Sequence, residues 1–212
     1  MALVGASTDA AAQAIHAVTY VEVMPPSAAV GRTLLQRYRD ATRSEEGNLR
    51  CEVVSRIGQP HHLAVLEVWR DQAAFDAHTR SAGRAQIRAA IDAVRGAPID
   101  DRVHGALSVG ALQPGPAGDA VYVLTHVDVI PPRKDDGVTA LRELAEASRP
   151  GAIRFEVVQQ TNRPNHFTVV EVWKDANAVE AHAMAEATRR FRDRLGPMSG
   201  ALYDERMFRL VP

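Results

Sequence analysis

Residues 47–78 read GNLRCEVVSRIGQPHHLAVLEVWRDQAAFDAH, and residues 151–182 read GAIRFEVVQQTNRPNHFTVVEVWKDANAVEAH. The second stretch lies over the first when the chain is slid against itself by 104 positions. Extended without a gap to 47–102 against 151–206, the comparison holds 20 identities in 56 positions. That is far above chance, so the two halves are copies of one domain. Upstream the offset becomes 106, where TYVEVMPP (19–26) matches THVDVIPP (125–132). The first copy therefore carries two extra residues between its first strand and Gly47. Two copies of about 100 residues are too few and too long for a solenoid.

Each copy reads as β-α-β-β-α-β. Residues 15–24 and 120–130 are β-rich runs closed by Pro-Pro, which cannot continue a ladder. Residues 28–43 and 135–148 carry helical spacing, through Val30, Leu34, Leu35 and Tyr38 in one and Val138, Leu141 and Leu144 in the other. Two strands joined by a short polar turn follow, 49–57 with 62–70 and 152–161 with 166–174. Asp71 and Asp175 are good N-caps for a second helix, expected to run to about 94 and 195 with a break near Gly83. A last strand is expected at about 99–109 and 201–211. This order is the ferredoxin-like split βαβ, an α+β class. The runs LAVLEVW and FTVVEVW are apolar on both faces, and a sheet with helices on one side needs cover on the other. The expected architecture is thus two ferredoxin-like domains in tandem, with sheets packed into an intrachain α+β barrel. The domains are 15–110 and 120–212. The linker 111–119 contains LQPGPAGD (112–119), whose Pro and Gly mark it as irregular. Residues 1–14 form either a leader on a cytoplasmic protein, the reading we favour, or the end of an export signal leading to the periplasm. Ala12-Gln13-Ala14 resembles a cleavage site, but a basic n-region is missing.

Composition excludes several classes. Of 212 residues, 46% are apolar and 24% charged, which is ordinary for a globular protein. Lys and Arg total 25 against 26 Asp and Glu, giving a net charge of −1. Such a balance exerts no long-range pull on nucleic acid or an anionic membrane. Aromatics at 5% argue against a stacking platform for single strands. The single cysteine, Cys51, excludes an intrachain disulfide and a cysteine-built zinc site, and reads as a small buried residue. No G-x-G-x-x-G follows a strand, so no nucleotide or flavin cofactor is expected. His61 and His62 are adjacent in a strand and should point to opposite faces, which disfavours chelation, and no metal site is expected in the chain.

Both copies carry E-V-W-[RK]-D-x-x-A-x-x-x-H, at Glu67–His78 and Glu171–His182. With the Pro-Pro turn after strand one and the Gly before strand two, this resembles the antibiotic biosynthesis monooxygenase family over about 90 residues of each copy. The resemblance implies the dimeric α+β barrel fold. It also implies one of three functions: cofactor-independent oxidation of quinols or aromatic polyketides, haem degradation, or no catalysis at all. In a duplicated chain the family's homodimer becomes an intrachain pseudo-dimer, and further self-association stays open.

The candidate site residues follow from the motif and its neighbours. Trp69 and Trp173 either plug the core or wall a pocket for a flat aromatic ligand. Glu67 and Glu171 share their Trp's face by the period of two. Each is either a structural ion pair, with Arg50 or Arg154 as partner, or the base that removes a phenolic proton. His78 and His182 are either helix-packing residues or acid–base groups. Arg88 and Arg192 match on the second helix, and Thr19 and Thr125 in strand one. The former would steady a developing anion and the latter orient a substrate oxygen, unless they are a solvated cation and an ordinary strand residue. His62 and His166 are expected at the surface. The family's cofactor-free members use an Asn four residues before the Trp, where this chain has Val65 and Val169. Its haem-degrading members place an axial His where this chain has Arg88 and Arg192, and an Asn where it has Thr19 and Thr125. Haem degradation is therefore disfavoured. The leading expectation is a cofactor-independent monooxygenase acting on a quinol-like or phenolic aromatic with O₂. The alternative is a non-catalytic binding or stress-response module. Tyr20, Cys51 and Leu63 become His126, Phe155 and Phe167 in the second copy, so the two pockets are expected to differ.

Overall fold

The computed structural model describes residues 13–113, 115, 116 and 118–212. Most of the expected leader, residues 1–12, and linker residues 114 and 117 lie outside the described residues. The chain forms two compact units. The first runs to Gly105 and adds Arg209–Pro212; the second is Ala106–Phe208.

The first unit runs β1 (Ile15–Glu22), α1 (Ala28–Arg43), β2 (Asn48–Arg56), β3 (Gln59–Trp69), α2 (Gln72–Thr79), α3 (Ala82–Asp92) and the start of β4 (Asp100–Ser108). Its sheet order is β4-β1-β3-β2, with β3 antiparallel to both β1 and β2. The second unit repeats this with β5 (Val121–Asp128), α4 (Lys134–Ser148), β6 (Arg154–Gln160), β7 (His166–Trp173), α5 (Ala176–Met184), α6 (Glu186–Leu195) and β8 (Asp204–Leu210), in the order β8-β5-β7-β6. Both units are ferredoxin-like α+β folds.

Local chemistry explains the element ends. The Pro-Pro pairs fold into 3-10 turns at Pro25–Ser27 and Pro131–Arg133, ending each first strand. Gly31 and Gly137 then let the following helix press onto that strand, because a Cβ there would stand 2.9 Å from Val23 Cγ1 or 2.8 Å from Val129 Cγ2. Gly47 adopts φ +84°, and a Cβ would meet Ala74 at 2.5 Å, so no other residue fits this corner before β2. Asp71 and Asp175 cap their helices as expected, accepting from the backbone N–H of Ala74 and Ala178, each at 2.8 Å.

The second helix is broken in both copies, and Gly83 is not the cause. Ser81 starts a new helix by accepting from Arg84 N–H, which leaves Gly83 inside α3. In the second copy, Ala185 turns extended between α5 and α6. Residues 63–69 and 167–173 are buried on both faces. The helix-facing core of the first unit gathers Val21, Leu35, Val53, Leu63, Val65 and Ile91. Val211 joins it from the C-terminal residues, its N–H donating to Val53 O at 2.8 Å. Cys51 is free and buried, as expected.

Candidate functional site

In the first unit, β3 presents Glu67 and Trp69 on its helix-facing side. The pairing Ala17↔Glu67↔Cys51 fixes that side. Arg50 pairs with Val68 instead, so it lies on the opposite face and is not the partner of Glu67; its guanidinium stands 3.9 Å from Glu52. The same correction holds for Arg154, which pairs with Val172 and lies 3.8 Å from Glu156.

The residues that do meet Glu67 come from the helices. His78 lies seven residues after the Asp71 cap, about two turns on, which returns it to the sheet side. Its ring packs against Trp69 with centroids 4.5 Å apart. From α1, Tyr38 places its hydroxyl 3.1 Å from Glu67 Oε1 and 2.7 Å from His78 Nε2. Glu45, in the loop after α1, stands 2.9 Å from His78 Nδ1. Glu67 and His78 are almost wholly buried, whereas the Glu45 side chain is 30% exposed. The four groups thus form a continuous hydrogen-bonded line from a buried carboxylate to the solvent edge.

Burial sets the acidities. It pushes Glu67 up to about 7, against the hydrogen bond from Tyr38, which favours the ionised form. It lowers His78, against the Glu45 carboxylate, and raises Tyr38 and Cys51. Glu67 is therefore divided between acid and base forms near neutrality. Trp69 Nε1 is buried and has no partner among the described residues, which leaves an unused donor on the same strand face as Glu67.

Next to the line is a small cavity bounded by Thr19, Leu35, Tyr38, Val65, Arg88 and Ile91. Its volume is about 20 Å³, enough for a water-sized molecule but not for an aromatic ring. Thr19 and Arg88 both reach its wall, yet each is engaged. Thr19 Oγ1 donates to Asp101 at 2.8 Å, and Arg88 pairs with the same carboxylate at 2.8 Å. Burial would raise Asp101, but the hydrogen bonds from Arg88 and Thr19 more than offset it and hold the carboxyl low.

The second unit keeps the motif and loses the line. Glu171 accepts from Trp173 Nε1 at 2.8 Å, and His182 Nε2 stands 3.5 Å from the same carboxylate. Trp173 and His182 stack with centroids 4.6 Å apart. Burial again pushes Glu171 up to about 7, and burial followed by Arg192 pushes His182 down to about 4. Leu144 stands where Tyr38 would be, and Glu45 falls in the segment where the copies differ by two residues. Phe155, in place of Cys51, sets its ring edge-on to both Trp173 and His182. Thr125 Oγ1 is buried without a partner among the described residues. Arg192 bonds to Glu205 at 3.2 Å and lies over Tyr203.

Three further histidines differ from expectation. His61 and His62 do not diverge: their ring centroids are 4.4 Å apart, beyond an irregularity in the β2–β3 register at Ser55/Arg56. His62 and His166 are half-buried rather than exposed, and pair with Glu22 at 3.7 Å and Asp128 at 2.9 Å.

Two ferredoxin-like units in tandem, each with a buried Glu-x-Trp strand end facing a capped helix and its histidine, define the class of protein. The profile described as antibiotic biosynthesis monooxygenase matches residues 14–91 and 120–194, and the chain belongs to that family. A putative monooxygenase of Bacillus subtilis (strain 168), YcnE, is 27% identical over 84 residues, which is 36% of this chain and 88% of YcnE. The fold of the whole chain is shared with two-copy-sized solved structures. One is a putative monooxygenase from Fusobacterium nucleatum, with TM-score 0.83 and 17% identity over 95% of this chain and 94% of that one. Another is an anthrone oxidase-like protein, with TM-score 0.76 and 15% identity over 94% and 92%.

Proposed function

We propose that the chain is a cofactor-independent monooxygenase of a quinol-like or phenolic aromatic, with its chemistry in the first unit. The observation that carries this reading is the line Glu67–Tyr38–His78–Glu45. A base that must take a proton from a weak carbon or phenol acid needs an acidity near the working pH and a route for the proton afterwards. Glu67 has the first through burial. The second follows from the hydrogen bonds. Once protonated, Glu67 passes a proton to the Tyr38 oxygen as Tyr38 yields its own to His78 Nε2. His78 then releases Nδ1–H to Glu45 at the solvent edge.

The redox step needs no further reactant than O₂. For an activated ring methylene, Glu67 removes one proton, and the carbanion gives one electron to O₂. The radical pair then closes a C–O bond to a hydroperoxide. Loss of water from that hydroperoxide leaves a carbonyl, so R₂CH₂ + O₂ becomes R₂C=O + H₂O. The unpartnered Trp69 N–H is suited to hold an oxyanion of the substrate. The cavity beside Tyr38 is of a size for O₂, and an aromatic ring enters only if α3 moves away from the sheet. That demand favours one second reading, a non-catalytic binding module that opens enough to hold a ligand but not to bring it to Glu67.

Oxygen uptake with a panel of hydroxylated anthrones and quinols, in chelator-treated buffer, separates the two. Catalysis predicts turnover whose rate rises through an inflection near pH 7 and falls at least about tenfold in Tyr38→Phe. Ligand-induced tryptophan fluorescence change without oxygen uptake supports the binding module.

A further inference from the structure

We propose that the second unit binds a divalent transition-metal cation through His126, Asp128 and His166. Among the described residues, this is where three metal-ligating side chains converge, with one ligand atom from each lying within 4.8 Å of the others. His126 and Asp128 are two residues apart on β5, so they share a face, and His166 is the cross-strand partner of Asp128 on β7. Glu171 and Val123 occupy the alternate positions, which puts the cluster on the sheet face opposite the Glu171–His182 pair.

The separations suit a cation. His126 Nε2 and His166 Nδ1 are 3.4 Å apart. Two ligands on one tetrahedral ion with bonds near 2.0–2.1 Å stand about 3.3 Å apart. Asp128 Oδ1 is 2.9 Å from His166 Nε2, the ring nitrogen opposite the one that faces His126, so in this arrangement it orients the imidazole and becomes the third ligand when the His166 ring or the carboxylate turns toward His126. His166 and Asp128 keep 17% and 18% side-chain exposure, which leaves a path for an ion. Gln160 adds an independent indication. It lies one residue past the Gln159↔Phe167 pair, which extends the register to His166 and puts it on the same face. It is 8% exposed, and its buried Oε1 has no partner among the described residues. An amide oxygen in that state is an available fourth ligand. Two imidazoles with one carboxylate favour Zn²⁺, Co²⁺, Ni²⁺ or Fe²⁺ over Mg²⁺ or Ca²⁺, which prefer all-oxygen shells.

The first copy provides a built-in control. It keeps the acid and one histidine, as Glu22 and His62, but has Tyr20 where the second has His126. Its pair is an ordinary His–carboxylate contact at 3.7 Å. The third ligand, and hence the site, is a property of the second copy alone.

The test is titration of the full chain with Co²⁺ and Zn²⁺, followed by the visible d–d band and by calorimetry. Binding of one ion per chain is expected, with affinity reduced more than about tenfold in His126→Tyr and in Asp128→Asn. His126→Tyr installs the residue the first copy already carries. Asp128→Asn keeps shape and size should that variant fold poorly. Absence of stoichiometric binding overturns the proposal, as does two ions per chain or unchanged affinity in both variants.

Discussion

Replacing Glu67 by Gln tests whether this carboxylate is a buried, unneutralised base or a structural ion. Its ordinary value of 4.5 is raised to about 7 by burial. At 1.36 kcal/mol per pH unit, holding it ionised costs about 3 kcal/mol of folding stability. The sign follows from proton binding. Between pH 4.5 and 7 the folded state binds the Glu67 proton and the unfolded state does not, so stability falls as pH rises through that window. The cost is absent below about 4.5 and complete above about 7. An amide in place of the carboxyl keeps the shape and an acceptor for Tyr38 but never ionises, so the variant escapes this loss. The stability difference between variant and wild type should therefore move by about 3 kcal/mol in favour of Glu67→Gln from about pH 4.5 to about pH 8. Denaturant unfolding followed by tryptophan fluorescence at the two pH values measures it. A difference that does not change with pH refutes the reasoning. So does a variant that loses ground at high pH, because a carboxylate held by an ion pair behaves that way.

Other outcomes are as definite. His182, pushed down to about 4, binds its proton less well folded than unfolded, so its contribution is present above about pH 6.5 and is lost as pH falls towards 4. His182→Asn should flatten that acid-side fall in an unfolding-midpoint scan. Deleting residues 210–212 removes buried Val211 and its hydrogen bond to Val53, and also the carbonyls that accept from Arg39 and Gln36. The loss should be roughly 2–4 kcal/mol, with faster hydrogen exchange along β2; unchanged exchange there would contradict the assignment of these residues to the first unit. Titration with haem is expected to give no Soret shift and no iron release under reductant, because the family resemblance implies an axial histidine at the places where this chain has Arg88 and Arg192.

The repeat made the fold legible. Pro-Pro stops, the Asp caps and doubly apolar strands recur at fixed offsets, and each has one physical meaning. The Glu–Trp–His grouping was legible for the same reason. Partners outside the matched stretch were not. Tyr38 and Glu45 belong to the first copy alone, and reading the copies as equivalents hid them. Arg50 failed differently: a neighbouring strand supplies a partner only if the register puts both residues on one face. Here Cys51, not Arg50, lies opposite Glu67. The substitution of Tyr20 by His126 was visible, but its meaning depended on the β5–β7 pairing that brings His166 alongside.

On the proposed reading, the first unit handles the proton and the second does not. The direct measurement is the initial rate of oxygen uptake with a hydroxylated anthrone at about pH 7.5, for wild type, Glu67→Gln and Glu171→Gln, in chelator-treated buffer. Glu67→Gln is expected to lose at least about a hundredfold in rate, within the range for a general base, while Glu171→Gln stays within about twofold of wild type. Equal losses in both variants, or full turnover in Glu67→Gln, would contradict it.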